Sequence, residues 1–340
     1  MPPTRTPPSL KPRYPAEIVG VADNLVGLIR SIDAVQVHRV IDRSFPLADI
    51  RTPSGSRNLA AISAGSSSNT GYSNYQEEII MKVLVVYAHP EPTSLTRQLV
   101  DVTAETLSAA GHTVIHSDLY GMKWKAVYDA DDFPVRDNPE RLSFIMESGH
   151  AYTSGHQTPD VIAEQQKLLE ADAVILQFPL WWYGVPAILK GWIERVYAFG
   201  FAYGYQNGSN EFRFGDGILK GKRALVNVQA GGSAADYGPR GINGPIEQLL
   251  FPLTHGALFY PGMVVLPTHA VYSTMRVSTA EDVEAVKAAW RVRLAGLFTD
   301  TPIPFRSQNG GDFPDRHTMA DHVAPGQTGL DAHVADLADA

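Results

Sequence analysis

The sequence predicts an α/β fold: a doubly wound, five-stranded parallel sheet with helices on both faces. Three observations carry that expectation. Short β-branched apolar runs recur at 82–87, 113–116, 173–178, 224–228 and 263–266. Between them lie segments whose apolar residues repeat at helical spacing. Strands that alternate with helices form parallel sheets through right-handed crossovers.

Lys82 to Tyr87 (KVLVVY) opens the pattern and suits a strand buried on both faces. Ser94 to Ala110 reads as a helix closed by Gly111, and Thr113 to His116 as the second strand. A polar connection is expected from there to about Gly155. Thr158-Pro159 begins the next helix, with Thr as N-cap and Pro at the first position. The third strand, Ala173 to Phe178, leads to a helix opened by Pro186, with Leu189, Trp192 and Val196 on one face. Ala224 to Val228 and Met263 to Leu266 complete the sheet. A last helix is expected behind a capping box at Ser278 and Glu281, with a stripe of Val283, Val286, Trp290, Leu294 and Leu297. Residues 81–304 make one domain, and 305–340 read as a polar C-terminal arm.

Residues 1–80 are different in character. Pro2, Pro3, Pro7 and Pro8 crowd the start, and Ser63 to Asn74 is rich in Ser, Gly and Asn. A short helix fits Ala22 to Val40, but nothing else supplies a core. Gln76-Glu77-Glu78 before Met81 is what a purine-rich ribosome-binding site would read as if translated. Residues 1–80 are therefore expected to be a translated leader or a disordered extension.

Composition excludes several classes of function. The 340 residues carry a formal charge of −8 and no cysteine. The acidic balance argues against nucleic-acid and anionic-membrane partners. Lack of cysteine removes disulfides, thiolate nucleophiles and iron–sulfur clusters, so redox chemistry requires a bound cofactor. The eleven histidines contain no HExxH pair, and no metal site is expected. GxGxxG, the Walker pattern and GxSxG are also absent. No apolar stretch reads as a membrane span or secretory signal, which makes the cytoplasm the expected location.

In a flavodoxin-like strand order, 2-1-3-4-5, ligands sit beyond the carboxyl ends of the first and third strands. Three loops fall there. Ala88 to Thr96 combines His89 with Thr93, Ser94 and Thr96 at a helix start, a phosphate site or plain capping. Pro179-Leu180-Trp181-Trp182-Tyr183-Gly184 places three aromatics at a strand end, where they cannot all enter one core. They suit a flat ring system or a subunit contact. Gln229-Ala230-Gly231-Gly232-Ser233, with Tyr237 and Asn243, offers backbone N–H groups to a ligand or makes an ordinary turn.

Over roughly 81–300 these segments resemble the NAD(P)H:quinone oxidoreductase (DT-diaphorase) family. Thr158 to Leu168, Gln177 to Trp192 and Gly200-Phe-Ala-Tyr203 carry the likeness. The resemblance implies non-covalent FAD, with FMN less expected, and NAD(P)H as co-substrate for a two-electron, ping-pong reduction of a quinone. It assigns His89, Ser94, Leu95 and Thr96 to the flavin's phosphate side. Pro179, Leu180, Trp181, Trp182 and Tyr183 match the ring wall. Gln229, Ala230, Gly231, Gly232 and Tyr237 match the pyrimidine side. Tyr237 and Asn243 are the catalytic candidates, and Trp182, Tyr183, Tyr203 and Tyr205 the substrate contacts. Tyr203 and Tyr205 would reach the pocket of a homodimer partner. The chain departs from the family's pattern at Asn243, where one branch has histidine, and at Thr96, where asparagine is common. Around Val283 no counterpart of a flavin-contacting arginine is found. An azo- or nitroaromatic reductase on the same scaffold, and an ancillary subunit of a potassium efflux system, are the competing readings.

Overall fold

The computed structural model describes residues 80–206 and 208–335. The expected helix at Ala22 to Val40 and the rest of the N-terminal segment lie outside the described residues. The elements in chain order are β1 (Lys82–Tyr87), α1 (Leu95–Ala109), β2 (Thr113–Asp118), α2 (Phe144–Ser154), α3 (Pro159–Glu170), β3 (Ala173–Pro179), α4 (Ala187–Val196), β4 (Arg223–Gln229), β5 (Val264–Val265), β6 (His269–Val271) and α5 (Ala280–Ala295). Strand order is β2-β1-β3-β4-β5, with β6 also on β4, and every pairing is parallel.

Alternate strand residues face opposite layers, as the pleat requires. Val83, Val85, Ile175 and Leu225 pack with Leu99, Val100 and Leu107 of α1 and with Trp290 and Leu294 of α5. Leu84, Val86, Leu176 and Val226 pack on the other face with Val161 and Leu168 of α3 and Leu189, Trp192 and Val196 of α4. Burying both faces explains why the strands read as unbroken apolar runs.

Several expectations need correction. The connection before Gly155 is not all loop: α2 lies within it. Its sequence, FIMESGHAYTS, mixes glycine, histidine and threonine, and its Ser143 N-cap makes no side-chain capping bond. Ser143 before it and the left-handed Gly155 after it are helix boundary signals, but the mixed interior between them hides the helical period. The fifth strand, expected at 263–266, is two fragments. Val264 and Val265 pair with Arg223 and Ala224, and His269 to Val271 pair with Asn227 to Gln229. Pro267 stands between them, where a residue without an N–H breaks a ladder. The capping box of α5 is Thr279 with Asp282, one residue on from Ser278 and Glu281. Thr158 does precede α3, with Pro159 at the first position, but its hydroxyl makes no cap bond. The arm also supplies core. Phe305 packs against the α3–α4 layer, and Gln308 is buried and bonded to Arg213.

Loop 124–132 is laid on α4 by a buried cation. Arg195 donates to Asp132 at 2.5 Å and Asp160 at 2.8 Å, and its guanidinium lies 4.4 Å from the Trp124 ring centroid. Gly191 makes the approach possible, since a Cβ there would stand 2.0 Å from the Ala126 carbonyl oxygen.

Two histidines pack on aromatics, His255 buried and His269 half-buried. His255 stacks on Phe251 with centroids 4.5 Å apart, and His269 lies 4.9 Å from Trp290. Burial lowers each to about 4 from an ordinary value of 6.5. Between those pH values the unfolded chain binds protons that the folded chain refuses, so stability falls as pH drops through the window. Urea unfolding should show a loss of about 1.5 kcal/mol per ring between pH 6.5 and 5. His255→Phe should remove part of that slope; a flat profile would mean that these rings are not held neutral.

Candidate functional site

The three sequence-predicted loops meet on one rim, at the carboxyl ends of β1, β3 and β4. His89 and Trp181 join the first loop to the second, with ring centroids 6.1 Å apart. The Tyr183 hydroxyl donates to Asn243 Oδ1 at 3.0 Å, which joins the second to the third. Thr96 Oγ1 donates to Gln229 Oε1 at 2.8 Å, which joins the first to the third. The Leu180 amide donates to the Gln229 carbonyl at 2.8 Å, tying the two strand ends together.

The second loop carries the strongest signal. Trp181 and Gly184 exchange backbone hydrogen bonds of 3.2 and 3.1 Å around Trp182 and Tyr183. Both central residues have positive φ, 48° and 61°. Such a turn ordinarily takes Asn-Gly, because L side chains crowd the left-handed region. Here it takes two large aromatics. Trp181, Trp182 and Tyr183 are 41, 97 and 51% exposed. Strain of this kind combined with exposed apolar rings is the mark of a binding surface.

The first loop differs from its expected chemistry. Thr93 donates its hydroxyl to Glu91 at 2.8 Å, and Thr96, buried, spends its own on Gln229. Ser94 accepts from the Arg97 amide at 3.2 Å as the N-cap of α1, keeping its proton to donate. Capping is thus the role of Ser94. What remains for an anion are the amides of Leu95 and Thr96, which have no acceptor among the described residues. His89 adds to them. Its Nδ1 accepts from the Glu91 amide at 3.1 Å, which places the ring proton on Nε2 as a donor.

In the third loop, Ala230 uses its amide on Val271 at 2.8 Å and lies in the sheet. Gly231 and Gly232 find no amide partner among the described residues. Space is close at Gly232: an added Cβ would meet Tyr237 at 3.0 Å and Asn243 at 3.4 Å. Tyr237 is buried and stacks on Tyr272, with centroids 5.5 Å apart. Burial raises its phenol above the ordinary tyrosine value, opposed by the Asn243 side chain.

Under the rim lies a buried polar layer that sequence reasoning missed. Gln177 and Asn227 are fully buried neighbours in register. Gln177 donates to the Thr96 carbonyl, and Gln229 donates to Asn227 Oδ1 at 3.0 Å. Polar residues inside apolar strands were the available signal. Tyr272 was missed as well; β6 brings it to Tyr237 only because Pro267 splits the edge strand. Tyr203 and Tyr205 stand apart from the rim contacts, with their rings against Phe199 and Phe212.

The residues present fit a flavin. Free amides at the start of α1, two more at Gly231 and Gly232, and a standing aromatic wall between them match an anionic tail and a flat heteroaromatic ring.

Parallel order 2-1-3-4-5 with its ligand rim at the strand ends defines a flavodoxin-like α/β protein. The sequence comparisons agree: a profile described as flavodoxin-like fold matches residues 81–294. The chain belongs to that family. It is 46% identical over 236 residues to the ribosyldihydronicotinamide dehydrogenase-like protein of Penicillium crustosum, spanning 68% of this chain and 87% of the relative. To the human ribosyldihydronicotinamide dehydrogenase [quinone] it is 40% identical, over 66% of this chain and 94% of the relative. A crystal structure of a candidate quinone reductase from Klebsiella pneumoniae superposes with a TM-score of 0.72 and 50% identity, covering 75% of this chain and all of the other.

Proposed function

We propose that the protein is an NAD(P)H-dependent quinone reductase that works through a bound flavin. The observation that carries this is the strained, exposed Trp181-Trp182-Tyr183 turn beside two pairs of free backbone amides. The relatives' names point the same way: a ribosyldihydronicotinamide dehydrogenase-like protein in the fungus and a ribosyldihydronicotinamide dehydrogenase [quinone] in human. The flavin, when bound, supplies the two-electron redox chemistry.

This chain's residues bind and orient. Leu95 and Thr96 amides, the Ser94 hydroxyl and His89 Nε2 hold the phosphate end. Pro179, Leu180 and Trp181 wall one side, while Trp182 and Tyr183 offer faces on which the nicotinamide and then the quinone stack. Gly231 and Gly232 amides, with the Tyr237 hydroxyl, would hold the pyrimidine edge of the flavin, as donors suited to stabilising negative charge. Asn243, held by Tyr183, fixes the phenol of Tyr237. An amide cannot relay a proton as an imidazole can, so turnover is expected to lack a histidine-like inflection from this position.

FAD rather than FMN, and a homodimer in the cytoplasm, belong to the same reading. For the dimer, Val127, Ile145 and Met146 are 64, 54 and 43% exposed. They surround an aromatic group in which Tyr128 and Phe144 lie 4.7 Å apart. Tyr203 borders that patch, because Phe199, its ring partner, donates its amide to Ser148 of α2 at 3.2 Å. An apolar patch flanked by an available tyrosine suits a subunit contact that delivers Tyr203 and Tyr205 to the partner's pocket.

The test is direct. Purified protein should be yellow, and chromatography of the heat-released cofactor should identify FAD. Menadione should be reduced faster than an azo dye, with NADH, NADPH and dihydronicotinamide riboside compared as donors. Colourless protein that takes up neither FAD nor FMN would end the proposal.

A further inference from the structure

On the far side of β6 from the rim lies a cavity of about 470 Å³, within the range of small-molecule sites. The C-terminal arm forms one wall, and the space stays half open to solvent. Phe251, Ile303, Phe305, Leu330 and Val334 form its apolar walls, with Pro267, Pro302 and Pro304 between them. The arm is fastened in place. Phe305 bridges Val334, the Ala335 amide donates to the Pro304 carbonyl at 2.9 Å, and the Arg306 amide to the His333 carbonyl at 3.0 Å. Three prolines and these clasps make the space preformed, so a ligand would pay little ordering cost.

Accounting for the polar groups on the wall gives the ligand its chemistry. Two of the side-chain donors are engaged: Gln248 donates to Asp331 Oδ1 at 2.8 Å, and Thr254 to the Leu250 carbonyl at 3.2 Å, while the Thr301 hydroxyl has no acceptor among the described residues. The acceptors are not filled. Glu247 takes two bonds from Thr268, at 2.7 and 3.0 Å, which leaves a lone pair on each oxygen. Asp331, an exposed residue, keeps its other oxygen without a partner among the described residues. No lysine or arginine lines the space. Burial pushes the Glu247 carboxyl up, against the opposing pull of its Thr268 hydrogen bonds and of the nearby Arg293 guanidinium.

We propose that this cavity is a second binding site, for small apolar molecules that carry one hydrogen-bond donor, preferentially an ammonium group. The apolar body lies between Phe251, Phe305 and Leu330, and the donor turns towards Glu247 and Asp331. Carboxylates are refused by the same two groups. The site is distinct from the flavin reading, because none of its lining residues belongs to the three rim loops.

Calorimetric titration of the full chain as purified tests it, with 3-phenylpropylammonium, 3-phenylpropan-1-ol and 3-phenylpropanoate as probes. The ammonium should bind at one site with Kd near or below about 1 mM, the alcohol about ten-fold more weakly, and the carboxylate not measurably. Val334→Trp, or Leu330→Trp if the first fails to fold, should abolish binding by filling the space. Glu247→Gln should erase the ammonium's advantage over the alcohol. Equal binding of all three probes, binding that survives both fillings, or binding lost in Trp182→Gly would overturn the proposal. Protein that binds the ammonium but never a flavin would overturn the quinone-reductase reading alone.

Discussion

Replacing Trp182 by glycine should lower kcat/KM for NADH and menadione about 10- to 100-fold, equivalent to roughly 1.4 to 2.8 kcal/mol, while the melting temperature barely moves. The indole is 97% exposed, so it contributes no core burial. Its φ of 48° costs an L residue about 1 kcal/mol. Glycine relieves that strain but loosens the unfolded chain by a similar amount. The two backbone effects cancel, which isolates the ring's role as a stacking face. Unchanged kinetics, or a collapse in melting temperature, would show that the turn is structural. Flavin content, measured by absorbance, should fall less than turnover does.

Arg195→Met should be the most damaging substitution to stability, at about 3 to 5 kcal/mol in urea unfolding. Arg195 and Asp132 are 4 and 5% exposed, so the change strands a buried carboxylate with Lys125 at 3.1 Å as its remaining cation. Removing both charges differs from removing one. Asp132→Asn in the Arg195→Met background should recover a large part of the loss, because it discharges the orphan. If the double variant is as unstable as the sum of the singles, the cost comes from packing on Trp124 and not from charge.

Much of this architecture was legible from residues alone. The central strands β1, β3 and β4 are buried on both faces, so Val, Leu and Ile fill most of their positions, and period and length gave them away. The rim was legible because aromatics at 181–183 and glycines at 231–232 have no use in a core. What escaped notice depends on distant partners. The helix α2 has no cap bond and a poor pattern, and it is held by Phe199 and the loop that Arg195 secures. The hydroxyls of Thr93 and Thr96 look alike in sequence. Only the fold shows that one faces Glu91 and the other is sealed under Gln229. The positive φ of Trp182 and Tyr183 has no local signature, since tryptophan and tyrosine are the residues least suited to it. Tyr272 reaches the rim through a break in an edge strand, a feature fixed by pairing and not by composition.

The interrupted outer margin at Pro267 has a consequence for how this protein behaves when crowded. Its two fragments are two and three residues long, and the carbonyl of Pro267 is already occupied by Arg293 at 2.9 Å. A neighbouring copy therefore finds no continuous ladder on which to zip, and cross-β growth along that side has no template. The proline beside the Tyr272 segment thus leaves that margin, unlike the six-residue edge strand β2, without a template for addition.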